Sequence, residues 1–216
     1  MTGNAAMPMK PECLRLYLVT DAPERCSLGL AETVRRAIAG GVTLVQYRRE
    51  RADAATMLRE AAELRAVTHA AGVPFIVNND VRLALQVGAD GVHLGQSDMP
   101  VAEARKLAGQ GLVIGISVSN EREMLAVDTH AADYVGCGPV FPTATKSDAA
   151  PAVGVEGWAH LSRICPLPIV AIGGITASRA RELRAAGPCS GVAVVSAICG
   201  APDPAAAARE IVVALT

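Results

Sequence analysis

Two cationic residues of this chain follow short apolar runs, at positions suited to binding an anion. Arg48 ends the segment Gln-Tyr-Arg, and Lys146 ends the segment Phe-Pro-Thr-Ala-Thr-Lys. A guanidinium offers phosphate oxygens a forked pair of donors, and an ammonium group offers a mobile point charge. Gln46, Thr143 and Thr145 add neutral polar groups beside them. Each cation alone would more often be a solvated surface residue, but the two together favour a phosphate or diphosphate site.

A second candidate anion site combines glycines with a hydroxyl group. Gly173-Gly174 follows one apolar run, and Val195-Ser196 follows the next. Adjacent glycines allow the backbone to approach a ligand closely, and N–H groups at a helix start bind phosphate. The alternative is that the glycine pair is only a tight turn. Two anion sites on one face predict two phosphorylated substrates, or one substrate with two phosphoryl ends.

A diphosphate normally binds together with Mg²⁺, which takes one or two carboxylates and completes its shell with phosphate oxygens. Asp98 is the best candidate ligand, with Asn79 or Asp80 beside it. The alternative for Asp98 is the N-cap of a helix that begins near Pro100, because Asp often occupies that position. The chemistry alone fits both interpretations equally.

Residues for covalent catalysis are not evident in the sequence. His93 lies within a predicted strand, where a packed role is favoured over a catalytic one. Cys137 follows another strand, and a buried thiol is favoured over a nucleophile there. No Ser–His–Asp or Cys–His arrangement stands out. The sequence therefore predicts catalysis by positioning and electrostatics.

These residues must be positioned by a repeating strand–helix frame. Nearly continuous Val, Ile and Leu runs alternate with amphipathic stretches, which is typical of parallel strands covered on both faces. Eight such units in 216 residues, without a Gly-x-Gly-x-x-Gly after the first strand, predict an α/β fold with a single (β/α)8 TIM barrel. The predicted strands are 14–20, 42–47, 74–78, 90–94, 112–117, 133–136, 168–172 and 191–196, and the amphipathic helices include 52–71, 177–186 and 203–215. The active site of such a barrel lies at the carboxyl ends of its strands.

The composition fits one domain without an extended polyanion-binding surface. The chain is 51% hydrophobic and has a formal net charge of −1. We expect a flexible N-terminal tail at 1–11 and a barrel domain at 12–216. No signal peptide or membrane span is predicted, and the cysteines lack C-x-x-C spacing, which indicates reduced thiols. The protein is therefore predicted to be cytoplasmic, with no nucleic-acid or membrane partner and with homo-oligomerisation left open.

Five segments of the chain resemble the thiamine-phosphate synthase (thiamine-phosphate pyrophosphorylase) family. The Phe-Pro-Thr-x-Thr-Lys and His-Leu-Gly-Gln-x-Asp motifs are specific together, whereas the glycine phrases alone fit many phosphate-binding barrels. The resemblance implies a transferase of thiamine biosynthesis that joins a hydroxymethylpyrimidine diphosphate to a thiazole phosphate with Mg²⁺ and releases diphosphate. It extends from Leu16 to Ala214 and rests on segments 40–48, 88–98, 138–146, 171–175 and 193–198.

The resemblance also implies roles for individual residues. Arg48, Lys146 and Ser117 would be catalytic, and Asp98 with Asn79 would hold the metal, or Asp80 if the register slips by one residue. The pyrimidine diphosphate would be bound by Gln46, Arg48, Glu50, Asn78, Ser117 and Lys146. The thiazole phosphate would be bound by Thr143, Ala144, Thr145, Gly174, Val195 and Ser196.

Two positions depart from the family pattern, and both concern the diphosphate and its metal. Glu50 stands where the family usually has Lys, and Arg49 or Arg51 would have to supply the missing charge. Asn79 stands where an ungapped count places the metal-binding Asp. The runner-up hypothesis is therefore a paralogue that keeps the barrel but not the coupling reaction, such as a thiazole tautomerase-like or ligand-binding protein. A sugar-phosphate isomerase is a third hypothesis, but it would need a catalytic carboxylate or lysine that the sequence does not show.

Overall fold

Eight parallel strands close into a barrel in the computed structural model, which describes residues 10–143, 145 and 150–216. Each strand pairs with its neighbours in chain order, and β1 pairs with β8 to complete the ring. The strands are β1 (Leu16–Val19), β2 (Leu44–Tyr47), β3 (Phe75–Asn78), β4 (Gly91–Leu94), β5 (Val113–Val118), β6 (Tyr134–Cys137), β7 (Ile169–Ile172) and β8 (Gly191–Val194).

Helices connect the strands along the outside of the barrel. The longest, α2, begins after Asp53, whose side chain accepts a hydrogen bond from the Thr56 N–H. The helices are α1 (Leu30–Ala39), α2 (Ala54–Ala70), α3 (Val81–Gln86), α4 (Val101–Ala108), α5 (Glu121–Leu125), α6 (Gly154–Ile164), α7 (Ala177–Ala186), α8 (Ser196–Cys199) and α9 (Pro204–Ala214). Short 3-10 helices occupy Pro11–Leu14 and Pro23–Arg25. No helix of the described residues is long and apolar enough to cross a membrane.

The single (β/α)8 barrel predicted from the sequence is confirmed. All eight predicted strands are present, and most are shorter by one to three residues than predicted, because residues next to a strand often lie outside its hydrogen-bonded ladder. Helix α7 has its predicted limits, and Asp203 caps α9 with Pro204 in the first position. The predicted domain limits, with a tail at 1–11, stay a prediction, and residues 1–9 lie outside the described part of the chain.

Two apolar clusters hold the molecule together. The outer cluster lies between the strands and the helices, and includes the fully buried Trp158 of α6. The inner cluster fills the barrel, with one or two side chains from most strands, among them Tyr17, Ile76 and Tyr134. Because side chains alternate along a strand, every second residue of each strand points into the barrel. The last of these inward residues lies at the rim formed by the carboxyl ends of the strands.

Candidate active site

The carboxyl ends of the parallel strands meet at one rim, and the predicted site residues lie there. Gln46 is in β2 and is 3% exposed, while Arg48 follows the end of that strand. The Arg48 N–H donates to the Thr20 hydroxyl oxygen over 2.9 Å, which ties the end of β2 to the end of β1. Ser117 lies near the end of β5, and the loop after β4 reaches it, because the Gln96 side chain donates to its carbonyl over 2.6 Å. The barrel thus brings these residues to one face.

The guanidinium of Arg48 is paired with the carboxylate of Glu50. The Arg48 side chain is mostly buried, with 14% exposed, whereas Glu50 is half exposed. Arg49 points the other way, since it donates to Glu24 over 3.2 Å and lies 3.8 Å from a Glu60 oxygen. Arg49, one of the two residues expected to replace the missing cation, is thus engaged with carboxylates other than Glu50. The alternation of β2 continues for two residues, so Arg49 shares the outward side with Tyr47.

Three consecutive polar residues occupy the end of β3 and the two positions after it, and each makes different contacts. Asn78 ends the strand and its side-chain amide donates to the Asn79 carboxamide oxygen. Asn79 is exposed and has φ 65°, a left-handed conformation that asparagine adopts more easily than most residues. Asp80 is the N-cap of α3, where its carboxylate accepts from the Leu83 N–H over 2.9 Å. Capping thus explains Asp80, and leaves Asn79 as the residue beside the rim.

Asp98 closes the turn after β4. Its Oδ2 accepts from the Gly95 N–H over 2.6 Å, and the N-cap position of α4 is held by Pro100. The alternative interpretation of Asp98 as the cap of that helix is therefore wrong.

The side chains after β3 and β4 offer oxygen atoms, the donor type that Mg²⁺ prefers. Within the described residues, the second oxygen of Asp98 accepts no hydrogen bond, and the Asn79 side chain is exposed. No group of three or more His, Cys, Asp or Glu side chains in that part of the chain is arranged to hold a metal. One carboxylate plus phosphate oxygens and water is a donor set that Mg²⁺ accepts.

The turn after β7 brings the backbone close to the loop after β6. Gly173 and Gly174 have φ values of 97° and 64°, and a Cβ on Gly174 would lie 2.8 Å from the Pro142 carbonyl oxygen. Arg179 of α7 donates to the Gly174 carbonyl over 2.6 Å and stacks 4.4 Å from the centre of the Phe141 ring. Only glycine suits both positions, so the turn is a fixed element of the rim.

Val195 and Ser196 begin the short helix α8 directly after β8. Val195 is the N-cap residue and Ser196 is exposed in the first turn, where N–H groups have no acceptor inside the helix. Beside the neighbouring β7 turn, the hydroxyl oxygens of Thr143 and Thr145 lie 3.3 Å apart. The remaining predicted residues of that loop, Ala144 and Lys146, lie outside the described residues.

Sequence reasoning missed how His93 is used. Its Nε2 lies 2.9 Å from the Ser117 hydroxyl oxygen and its Nδ1 lies 2.9 Å from the Tyr134 hydroxyl oxygen. Burial lowers the pKa of His93 to about 4, so the ring is neutral near pH 7. Cys137 is fully buried, and burial raises the pKa of its thiol to about 12, which agrees with the inert thiol predicted for it.

Comparisons with known proteins identify the family. The family model for thiamine monophosphate synthase matches residues 16–198. The chain belongs to this family. It is 47% identical to the thiamine-phosphate synthase of Azorhizobium caulinodans over 201 residues, which are 93% of this chain and 94% of that protein. It is 48% identical to the thiamine-phosphate synthase of Chloroflexus aurantiacus over 197 residues, which are 91% and 90% of the two chains.

A solved structure of the same family shares the fold. The thiamine phosphate pyrophosphorylase from Pyrococcus furiosus superposes with a TM-score of 0.85 at 37% identity, and the likeness covers 95% of this chain and 96% of that one. The chain is thus a barrel transferase of thiamine biosynthesis, as the sequence predicted.

Proposed function

We propose that this thiamine monophosphate synthase family member joins 4-amino-2-methyl-5-hydroxymethylpyrimidine diphosphate to 4-methyl-5-(2-hydroxyethyl)thiazole phosphate. The products are thiamine phosphate and diphosphate. The observation that carries the proposal is the rim itself, where Arg48 follows β2, the glycine turn follows β7 and α8 follows β8, all at the carboxyl ends of the strands. Such a rim suits two phosphorylated substrates that meet over one barrel.

The pyrimidine diphosphate is placed on the β2–β5 side of the rim. Arg48 and Lys146 bind the diphosphate oxygens, with Gln46, Asn78 and Ser117 as neutral partners and Glu50 at the edge. Arg48 is the described cation best placed for this, because most of its side chain is buried and its backbone is fixed to Thr20. A partly buried guanidinium stabilises charge on phosphate oxygens more than one in bulk water does.

The thiazole phosphate is placed on the β6–β8 side. The backbone at Gly174, Val195 and Ser196 and the segment Thr143, Ala144 and Thr145 surround its phosphate. The support is the close approach that Gly174 permits and the N–H groups of the first turn of α8. The phosphate then fixes the thiazole with its nitrogen toward the pyrimidine, which is a positioning effect.

The bond changes proceed in two steps. The bond between the pyrimidine methylene carbon and the diphosphate oxygen breaks first, and the diphosphate leaves with the electron pair. The thiazole nitrogen then donates its lone pair to the resulting pyrimidine-methyl cation and forms the new carbon–nitrogen bond. Neither step needs a proton transfer or a covalent enzyme intermediate. Arg48 and Lys146 stabilise the charge that accumulates on the leaving diphosphate.

Asp98 and Asn79 would hold Mg²⁺, with Asp80 as the alternative to Asn79. The metal, when bound, supplies positive charge to the leaving diphosphate. The side chain of Asp98 suits this role because the Gly95 N–H fixes one oxygen, while the other accepts no hydrogen bond within the described residues. A cytoplasmic location belongs to the same proposal and is supported by six free cysteines.

A second candidate function is that of a paralogue that binds the phosphorylated ligands without coupling them. The pairing of Glu50 with Arg48 favours it, because the carboxylate competes with the diphosphate for the guanidinium.

One assay separates the two functions. Both phosphorylated substrates are mixed with the protein, with and without Mg²⁺, and thiamine phosphate is measured. Metal-dependent product formation supports the synthase. Binding of thiazole phosphate without turnover would overturn the synthase proposal and support the paralogue.

A further inference from the structure

Five polar side chains from five different strands form one continuous hydrogen-bonded chain across the inside of the barrel. The Gln46 amide donates to the Tyr17 hydroxyl oxygen. The Tyr17 and Tyr134 hydroxyl oxygens are 2.9 Å apart, and the Tyr134 hydroxyl oxygen is 2.9 Å from Nδ1 of His93. Nε2 of His93 is 2.9 Å from the Ser117 hydroxyl oxygen. This hydrogen-bonded chain therefore begins at Gln46 and ends at Ser117, the two residues that we place against the pyrimidine substrate.

The barrel makes room for this chain at two glycines. An alanine at Gly115 of β5 would collide with the Tyr134 ring. A Cβ on Gly136 of β6 would lie 3.0 Å from Cε1 of His93. Tyr17 and Tyr134 are each 1% exposed. A hydroxyl group buried this deeply without a hydrogen-bond partner would destabilise the fold. The hydrogen-bonded chain gives both tyrosine hydroxyls their partners.

One arrangement of protons gives every hydrogen bond of this network a donor and an acceptor. With the Gln46 amide donating to the Tyr17 oxygen, the arrangement in which each hydroxyl both accepts and donates has Tyr17 donating to Tyr134 and Tyr134 donating to Nδ1 of His93. Burial keeps His93 neutral and raises the pKa of both tyrosines. His93, Tyr17 and Tyr134 therefore each carry one proton that they can donate. In this arrangement the neutral His93 carries its proton on Nε2, from which it donates to the Ser117 hydroxyl oxygen 2.9 Å away.

We propose that Tyr17, Tyr134 and His93 are positioning residues that fix how Gln46 and Ser117 face the substrate. The amide of Gln46 presents its oxygen as an acceptor, and the hydroxyl of Ser117 presents its proton as a donor. The two ends are coupled, because reversing one would require every bond of the chain to reverse. The inference rests on the proposed function, which places Gln46 and Ser117 at the pyrimidine.

The kinetic test uses Tyr134→Phe, which removes only the central hydroxyl. We expect kcat/KM for the pyrimidine diphosphate to fall about tenfold, the value of one hydrogen bond, while KM for the thiazole phosphate stays within about twofold. In a Ser117→Ala background the loss should be at least about threefold smaller, because residues that act through each other are not additive. Equal losses in the two backgrounds, or no loss at all, would overturn the proposal.

Tyr47→Phe is the matched control. Tyr47 is also 1% exposed, but its hydroxyl donates over 2.7 Å to Glu60, on the helix side of β2. Its kcat/KM should stay within about twofold of the wild type, since it removes a comparable hydrogen bond outside the chain. If Tyr134→Phe fails to fold, Tyr17→Phe interrupts the same hydrogen-bonded chain one residue earlier. Its loss of kcat/KM is then compared between the wild-type and Ser117→Ala backgrounds in the same way.

A second measurement is independent of activity. Ring ¹⁵N resonances of His93 in the ligand-free protein report which nitrogen carries the proton. We expect protonation at Nε2, and a shift of the Nδ1 resonance in Tyr134→Phe but not in Tyr47→Phe. A proton on Nδ1, or an unmoved resonance, would overturn the proposal. A wild type that makes no thiamine phosphate would instead overturn the proposed function, and the ring resonances would then decide on the chain by themselves.

Discussion

Glu50 neutralises Arg48, the described cation nearest to the proposed diphosphate site. The carboxylate is half exposed and the guanidinium is mostly buried, so the carboxylate is the partner that can move away. An exposed partner of this kind contributes little, about 0–1 kcal/mol. Glu50→Gln should therefore lower KM for the pyrimidine diphosphate about threefold without loss of kcat, as measured by steady-state kinetics at fixed Mg²⁺. The control is Glu63→Gln, which changes the net charge equally on the exposed side of α2 and should leave KM unchanged.

Lys146 is expected to matter far more than Glu50. Lys146→Ala removes a cation that we place on the leaving diphosphate, and loss of such a preorganised charge lowers kcat by about 100-fold or more. Glu50→Ala removes no favourable contact with the diphosphate and should change kcat less than about threefold. Single-turnover rates with both substrates saturating make the comparison. Equal losses in the two variants would contradict the placement of the diphosphate.

The metal requirement should respond to the residue after β3. Asn79→Asp adds a second carboxylate, and aspartate tolerates the left-handed backbone that this position requires. The Mg²⁺ concentration at half-maximal rate should fall about tenfold. Asp98→Asn should raise that concentration, while its amide oxygen still accepts from the Gly95 N–H. An unchanged Mg²⁺ dependence in both variants would contradict the proposed ligands.

The barrel was predictable from the sequence because its strands and helices follow local patterns of apolar residues. Each strand is a run of Val, Ile or Leu, and residues at the carboxyl ends of parallel strands share one rim wherever the register lies. That argument correctly placed Arg48, Asp98 and Ser196. It did not separate Arg49 from Arg51 as the residue that replaces the charge missing at position 50, although the alternation of β2 already indicates that Arg49 shares the outward side of Tyr47.

The interior was not predictable in the same way. Tyr17 and Tyr134 are 117 residues apart, and their hydroxyls meet only because the barrel closes with one particular register. His93 reaches Tyr134 only because Gly115 leaves the space for it. A single sequence shows neither the register nor the space, so the interpretation of His93 as merely packed was incomplete.

The neutral state of His93 predicts how stability varies with pH. Its pKa is lowered to about 4 in the folded protein from 6.5. Between those values the unfolded state takes up a proton that the folded state does not, so the free energy of unfolding falls as the pH falls. The loss reaches about 3 kcal/mol at pH 4 and vanishes above pH 7. Denaturant unfolding of the wild type and His93→Gln over this range should show curves that converge as the pH falls, and parallel curves would contradict the prediction.

Gly115→Ala should damage both the fold and the reaction. The new Cβ would collide with the Tyr134 ring and approach Nδ1 of His93, inside a barrel whose strands have little freedom to move. Overpacking of this kind costs about 1–3 kcal/mol, and it would separate the two rings that share a hydrogen bond. We expect a lower denaturation midpoint together with a fall in kcat/KM for the pyrimidine diphosphate. Gly111→Ala is the control, because its Cβ would lie at an ordinary contact distance, 3.6 Å from the Ala108 carbonyl oxygen. An unchanged denaturation midpoint in both variants would contradict the predicted overpacking of the barrel interior.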